Sequence, residues 1–200
     1  MVGSSMRFGH GEANLLRALR HGVAEAHTDL ERRLNLSSTT QHGDLVGMIC
    51  GFHGFHAAWE PAMAHALKHD PFVVQRARLP LLTQDLRDVG HAASPPHCIE
   101  AAALVSCEAA ALGSLYVMEG STLGGQVIRK TLSADAWPRP GGPRYFNPYG
   151  RQTAAKWREF QTYLTARGAN LPFETIVAGA QATFALLQTW LTPSPARAVS

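Results

Sequence analysis

The most informative stretch of the sequence is Leu115-Tyr-Val-Met-Glu-Gly-Ser-Thr-Leu-Gly-Gly-Gln-Val-Ile128. Its flanks have a helical pattern, although it contains Gly120, Gly124 and Gly125. A glycine inside a helix costs about 1 kcal/mol relative to alanine, so three glycines cost about 3 kcal/mol. Such a cost is acceptable where the backbone must bend or approach another group closely. The stretch therefore predicts a helix that lies against a second helix or a ligand.

The glycines fall on one stripe of this predicted helix. Gly113, Gly120 and Gly124 are separated by seven and four residues, and Val117 lies between them on the same face. One interpretation is a Gly-x-x-x-Gly contact between helices. The doublet Gly124-Gly125 favours the other interpretation, a ligand, because it loosens the helix, exposes backbone groups and permits a kink.

On both sides of this stretch, helical periodicity extends over most of the chain, and no alternating strand pattern persists. We predict one all-α domain over residues 13–191, with a flexible tail at 1–12 and a Pro-containing tail at 192–200. The predicted helices cover residues 13–34, 45–59, 62–69 (opened by Pro61), a short piece before Gly90, 99–132, 151–167 and 173–191.

Composition excludes several classes of protein. The chain has 200 residues, is 46% hydrophobic, and has a formal net charge of +3, which without a nucleic-acid-binding motif gives no reason to expect nucleic acid. Glu108 interrupts the most apolar run, so a buried helix is expected there and no membrane span. Three cysteines without CxxC spacing and the absence of a secretory h-region predict a cytoplasmic protein.

A second informative segment is Leu19-Arg-His-Gly-Val-Ala-Glu-Ala-His-Thr-Asp-Leu-Glu31. Arg20 lies seven residues before His27, and Glu31 lies four residues after it, so all three share one helix face. A neutral imidazole can bind heme iron, a nearby carboxylate can orient it, and an arginine can meet a propionate. The same three residues also occur together by chance on surface helices, so this pattern alone leaves both interpretations open.

Together, the two segments resemble the heme oxygenase family. Leu19–Glu31 is similar to the proximal helix of the family, with His27 at the iron ligand, and Gly120–Gln126 is similar to its glycine-rich distal helix. The sequence of the segment Leu115–Gly125 is most similar to that of bacterial members associated with bacteriophytochromes. The resemblance implies an all-α fold that holds heme between the proximal helix and a kinked distal helix.

By the same resemblance, His27 is the axial ligand of the heme iron and Glu31 its orienting partner. Arg20 and Arg158 fall where the family places propionate contacts, and the two aromatic residues Phe146 and Tyr149 are expected to line the pocket. The distal residues that surround oxygen and water are Gly120, Ser121, Gly124 and Gly125.

Two positions depart from many eukaryotic members. Ser121 replaces an aspartate that organises water near dioxygen, and Thr162 replaces a second arginine. The proton-delivery network and the propionate contacts are therefore expected to differ from those of eukaryotic members. The resemblance does not determine which carbon of the heme ring is attacked. Some bacterial members also lack the aspartate.

The implied reaction is the opening of heme b, which is both cofactor and substrate, to biliverdin, ferrous iron and carbon monoxide with O2. The sequence has no flavin or nucleotide fingerprint, so electrons would come from an external reductase or ferredoxin. A bacteriophytochrome is a possible acceptor of the biliverdin.

Three alternatives are considered, and the second has a strong argument against it. A heme carrier or sensor could keep the fold and His27 without turnover, and Ser121 keeps that interpretation open. A di-iron carboxylate enzyme needs Glu-x-x-His pairs, and no glutamate here has a histidine three residues later. A plain helical interaction module leaves the glycines without a ligand-based explanation.

Overall fold

The computed structural model describes residues 8–34, 42–91, 94–133 and 135–192, with side chains from residue 14 onward. These residues contain α-helices and short 3-10 helices and no strand, which confirms the all-α prediction. The helices are α1 (Phe8–Leu34), α2 (His42–Ala66), α3 (Pro71–Val74), α4 (Leu79–Asp88), α5 (Glu108–Thr131), α6 (Thr153–Gly168) and α7 (Phe173–Trp190). The 3-10 segments are Ile99–Val105, Arg144–Phe146 and Gly150–Gln152.

The centre of the fold is the contact between α5 and α7, where two backbones touch. A Cβ atom on Gly113 would lie 1.8 Å from the carbonyl oxygen of Ile176, and one on Gly179 would lie 2.4 Å from that of Ala110. Neither position has room for a methyl group, because the obstacle in each case is backbone. Gly113 therefore serves a helix–helix contact, the first of the two predicted interpretations.

A buried hydrogen-bond cluster joins three helices at this contact. Ser114 of α5 accepts a hydrogen bond from Trp59 Nε1 of α2 and shares one with the Thr183 hydroxyl of α7, each at 2.8 Å. Because all three groups are buried, each would lose free energy without its partner. The cluster fixes the rotation of α5 about its own axis, and thereby the direction its glycines face.

Three predicted boundaries are wrong. Helix α1 begins at Phe8, five residues before its predicted start at residue 13, and Pro61 lies inside α2, which continues to Ala66. An internal proline costs about 3 kcal/mol, but buried Trp59 and Met63 on either side of it hold the helix in place. The predicted helix 99–132 is divided by extended backbone at Cys107. Residues 1–7 of the predicted N-terminal tail and 193–200 of the predicted C-terminal tail lie outside the described residues.

The Pro/Gly-rich connection after α5 is fixed at its end by one buried carboxylate. Asp85 of α4 accepts hydrogen bonds from the backbone N–H groups of Arg144 and Tyr145, at 2.8 and 2.9 Å. Burial raises the pKa of Asp85, although these bonds and the Arg144 guanidinium oppose the shift. The connection turns at Gly141 and Gly142, whose φ angles of 83° and 78° favour glycine.

Candidate active site

A cavity of about 640 Å³ lies between α1 and the C-terminal half of α5, and side chains of α2, α6 and α7 help to close it. Its volume is within the range of pockets that bury ligands of several hundred daltons. Eight of the ten predicted site residues line it: Arg20, His27, Glu31, Gly120, Ser121, Gly124, Gly125 and Phe146. The two motifs, about a hundred residues apart in sequence, therefore form opposite walls of one cavity.

On the α1 wall, His27 is half-exposed and available to a ligand. Its Nδ1 lies 3.7 Å from Oε2 of Glu31, beyond direct hydrogen bonding and within reach through small movement or a water molecule. Its ring packs edge-on against Phe184, with ring centroids 5.8 Å apart. With Nδ1 facing Glu31, Nε2 is the nitrogen left for a metal in the cavity.

Arg20 lies two turns before His27 on the same wall. Its side chain is exposed and lines the cavity. Within the described part of the chain, no carboxylate forms an ion pair with it. An arginine in this position can pair with a ligand carboxylate at the cavity mouth.

On the α5 wall, the glycines leave room for a flat ligand. A Cβ atom on Gly124 would meet nothing within 4 Å, and one on Gly120 would lie 3.8 Å from the Trp157 ring, an ordinary contact. Gly125 differs, because a Cβ atom there would lie 2.6 Å from the carbonyl oxygen of Phe146. Helix α5 is continuous through all three glycines, and the kink that the doublet predicts stays a prediction.

Behind this wall lies a buried charge network that the sequence did not reveal. Glu119 accepts hydrogen bonds from Arg76 and Arg78, and from the Tyr149 hydroxyl at 2.9 Å. Burial lowers the pKa of Arg78, but Glu119 outweighs it and raises that pKa above its ordinary value, so the guanidinium stays charged. Arg78 also donates to the Met118 carbonyl and, at 3.3 Å, to the Ser121 hydroxyl.

Two predicted site residues lie elsewhere. Tyr149 is not among the residues that line the cavity, since its hydroxyl donates to Glu119 in the buried network, and its contact with a ligand stays a prediction. Arg158 is exposed on α6 and is not among the lining residues either, so its propionate contact stays a prediction that this cavity does not support.

The heme oxygenase family model matches residues 13–193, nearly the whole chain. The chain belongs to the heme oxygenase family. A heme oxygenase of Xanthomonas campestris pv. campestris (strain 8004) is 39% identical over 120 residues, which cover 58% of this chain and 68% of that relative. The family degrades heme, and this chain is an enzyme of that kind.

The solved structure of the NO- and CO-bound heme oxygenase from Neisseria meningitidis has the same fold. Its TM-score to this chain is 0.69 at 24% sequence identity, and the match covers 88% of this chain and 89% of that one. Over the described residues, this heme oxygenase has no helix long and apolar enough to cross a membrane.

Sequence reasoning missed several polar and aromatic residues at the site. Tyr145 and Trp157 line the cavity, and His56 forms a hydrogen bond from its Nε2 side to the Tyr145 hydroxyl at 3.2 Å. His56 and Glu60 have the same i, i+4 spacing as His27 and Glu31, so this pair could have been found from the sequence. Tyr145 could not, because the segment before it has no regular period.

Proposed function

We propose that this heme oxygenase binds heme b in the cavity between α1 and α5, with His27 as the axial ligand of the iron. The observation that carries the proposal is the pairing of an accessible imidazole on one wall with a glycine-lined wall opposite. Glu31 orients the imidazole through Nδ1, and Arg20 holds a propionate at the mouth.

The reaction we infer is the oxidative opening of heme to biliverdin, ferrous iron and carbon monoxide, using O2. The heme supplies the oxygen chemistry when bound, and the protein supplies orientation and a polar environment. The absence of a side chain at Gly120 and Gly124 keeps space over the ring, while apolar lining residues such as Val117 and Phe146 limit the access of water. Ser121 lies in the same wall and takes part in holding the distal water.

We infer that electrons come from a separate reductase or ferredoxin, because the sequence has no nucleotide fingerprint. A bacteriophytochrome is the proposed acceptor of the biliverdin, on the wording of Leu115–Gly125. We propose a cytoplasmic location, which suits three cysteines without CxxC spacing.

The test is a single-turnover assay on the whole chain. Hemin is added, the Soret band of a histidine-ligated complex is recorded, and a reductant is then supplied in air. Loss of the Soret band with biliverdin and carbon monoxide as products supports the proposal. A stable complex that bleaches slowly without biliverdin would contradict it, as would failure to bind hemin.

A further inference from the structure

The Ser121 hydroxyl has already used its hydrogen within α5. It donates to the Met118 carbonyl at 2.7 Å and accepts from Arg78 Nη1 at 3.3 Å. A hydroxyl has one hydrogen and two lone pairs, so Ser121 can only accept a further hydrogen bond. Toward the cavity, therefore, this serine presents an acceptor oxygen.

The Tyr145 hydroxyl is held by a buried histidine–glutamate pair. His56 Nδ1 lies 2.8 Å from Oε1 of Glu60, and that same oxygen accepts from the backbone N–H groups of Arg78 at 2.6 Å and Leu79 at 3.0 Å. Although burial opposes it, these bonds lower the pKa of Glu60, so the group is a carboxylate. A carboxylate can only accept, and Nδ1 of His56 must therefore carry the hydrogen.

The other ring nitrogen of His56 is then fixed as an acceptor. Burial lowers the pKa of His56, although Glu60 opposes the shift, and the ring is 1% exposed, so it is neutral at pH 7. A neutral ring with its hydrogen on Nδ1 has a lone pair on Nε2. The Tyr145 hydroxyl, 3.2 Å away, donates to that lone pair, and burial raises the pKa of Tyr145, so the phenol keeps its proton.

Tyr145 is also fixed at its backbone. Its N–H group donates to Asp85, and its ring packs on Phe52 with centroids 4.7 Å apart. The residue is 5% exposed and lines the same cavity as Ser121. Both residues line the cavity, and the hydrogens of their hydroxyls are directed to Met118 and His56 within the protein.

We propose that Ser121 and Tyr145 form a pair of acceptor oxygens that holds the distal water of the heme site, with His56 and Glu60 as positioning residues for the Tyr145 hydroxyl. A water that donates one hydrogen to this pair keeps its second hydrogen for the bound substrate. The pair thus supplies an acceptor at the helix position where Ser121 replaces the aspartate of many eukaryotic members. This inference rests on the proposed function of the cavity.

The first test measures, in the protein without heme, which ring nitrogen of His56 carries the hydrogen and therefore which way the hydrogen bonds from Glu60 to Tyr145 are directed. The ¹⁵N NMR resonances of His56, assigned by their loss in His56→Gln, should show a neutral ring protonated on Nδ1. In Tyr145→Phe the tautomer should stay the same, and the Nε2 resonance should move because it loses its donor. A charged ring, or a ring protonated on Nε2, would overturn the proposal whatever the enzyme does with heme.

The second test measures turnover. Tyr145→Phe should bind hemin with an unchanged Soret band and form biliverdin about tenfold more slowly, the cost of one lost positioned hydrogen bond. Tyr163→Phe is the matched control, since it removes a tyrosine hydroxyl that donates to Asp70 at 2.9 Å, away from the cavity. Equal rates for Tyr145→Phe and the parent enzyme would overturn the acceptor pair and leave the proposed function intact. Failure of the parent enzyme itself would instead contradict the proposed function.

Discussion

Two histidine–glutamate pairs in this chain have the same i, i+4 spacing and opposite surroundings. The side chains of His27 and Glu31 are 54% and 52% exposed, and their atoms are 3.7 Å apart. Those of His56 and Glu60 are 1% and 14% exposed and are 2.8 Å apart. The exposed imidazole is available to a ligand, whereas the buried one is committed to neighbours. At the residue scale, burial distinguishes the two roles and spacing does not.

This difference marks what the sequence could predict about single residues. That His27 and Glu31 share one helix face could be predicted, because i, i+4 spacing on a helix is a local pattern. Arg78 could not, because the groups it meets, Met118, Glu119 and Ser121, are about forty residues away in the chain. Only the packing of α5 against the segment before α4 brings them together.

The role of Arg20 can be tested with a neighbour on the same helix. Arg20→Leu should weaken hemin binding about two- to fivefold, because an exposed arginine–carboxylate pair contributes up to about 1 kcal/mol. Arg17→Leu is the control, since Arg17 is exposed, hydrogen-bonds Asn14 and does not line the cavity. Hemin titration followed at the Soret band measures both. Equal losses in the two variants would show that only general charge matters.

At the scale of the element, the two halves of the continuous helix α5 have different roles. Its N-terminal half packs backbone to backbone on α7, and its C-terminal half forms the cavity wall. The regular stripe Gly113, Gly120, Gly124 predicted one role for all three glycines. The structure divides the roles, because Gly113 meets the backbone of Ile176 whereas Gly124 faces open space at the cavity wall.

Alanine substitutions on this stripe should separate the two roles. Gly113→Ala should destabilise the apoprotein by about 3 kcal/mol or more, because the methyl group meets the backbone of Ile176. Gly124→Ala should stabilise the apoprotein by up to about 1 kcal/mol through helix propensity, yet weaken hemin binding, since the methyl group enters the cavity. Urea unfolding and hemin titration measure these effects. The same sign of stability change in both variants would contradict the division of α5.

The boundaries of the elements were less predictable than their existence. Periodicity located both ends of α6 and α7 to within two residues, and the C-terminal end of α1 at Leu34. It failed at Pro61, where burial outweighs propensity, and at Cys107, where no glycine or proline signals the break. Local signals do not include tertiary packing, and the failure at Pro61 comes from the packing that buries Trp59 and Met63.

At the scale of the whole molecule, the buried groups make stability depend on pH. The pKa of His56 is lowered in the folded state, chiefly by burial, so the unfolded chain binds more protons below about pH 6.5. The contribution of His56 to the free energy of unfolding is therefore complete above that pH and is lost as the pH falls. Glu60, whose pKa is lowered as well, adds a further loss at lower pH.

The free energy of unfolding should accordingly fall between pH 7 and pH 5. The slope from one such histidine reaches about 1.4 kcal/mol per pH unit at most. In His56→Gln the slope should be smaller, whereas His21→Gln, at an exposed position of α1, should keep the slope of the parent. Urea denaturation at several pH values measures it. An unchanged slope in His56→Gln would show that His56 is not the titrating group.

The identity of the iron ligand is the central claim, and one measurement tests it most directly. His27→Ala should lose the histidine-ligated Soret band with hemin and most biliverdin formation, and added imidazole should restore the band. His21→Ala, an exposed histidine on the same helix that does not line the cavity, should behave like the parent. A parent-like Soret band and rate of biliverdin formation in His27→Ala would contradict the account.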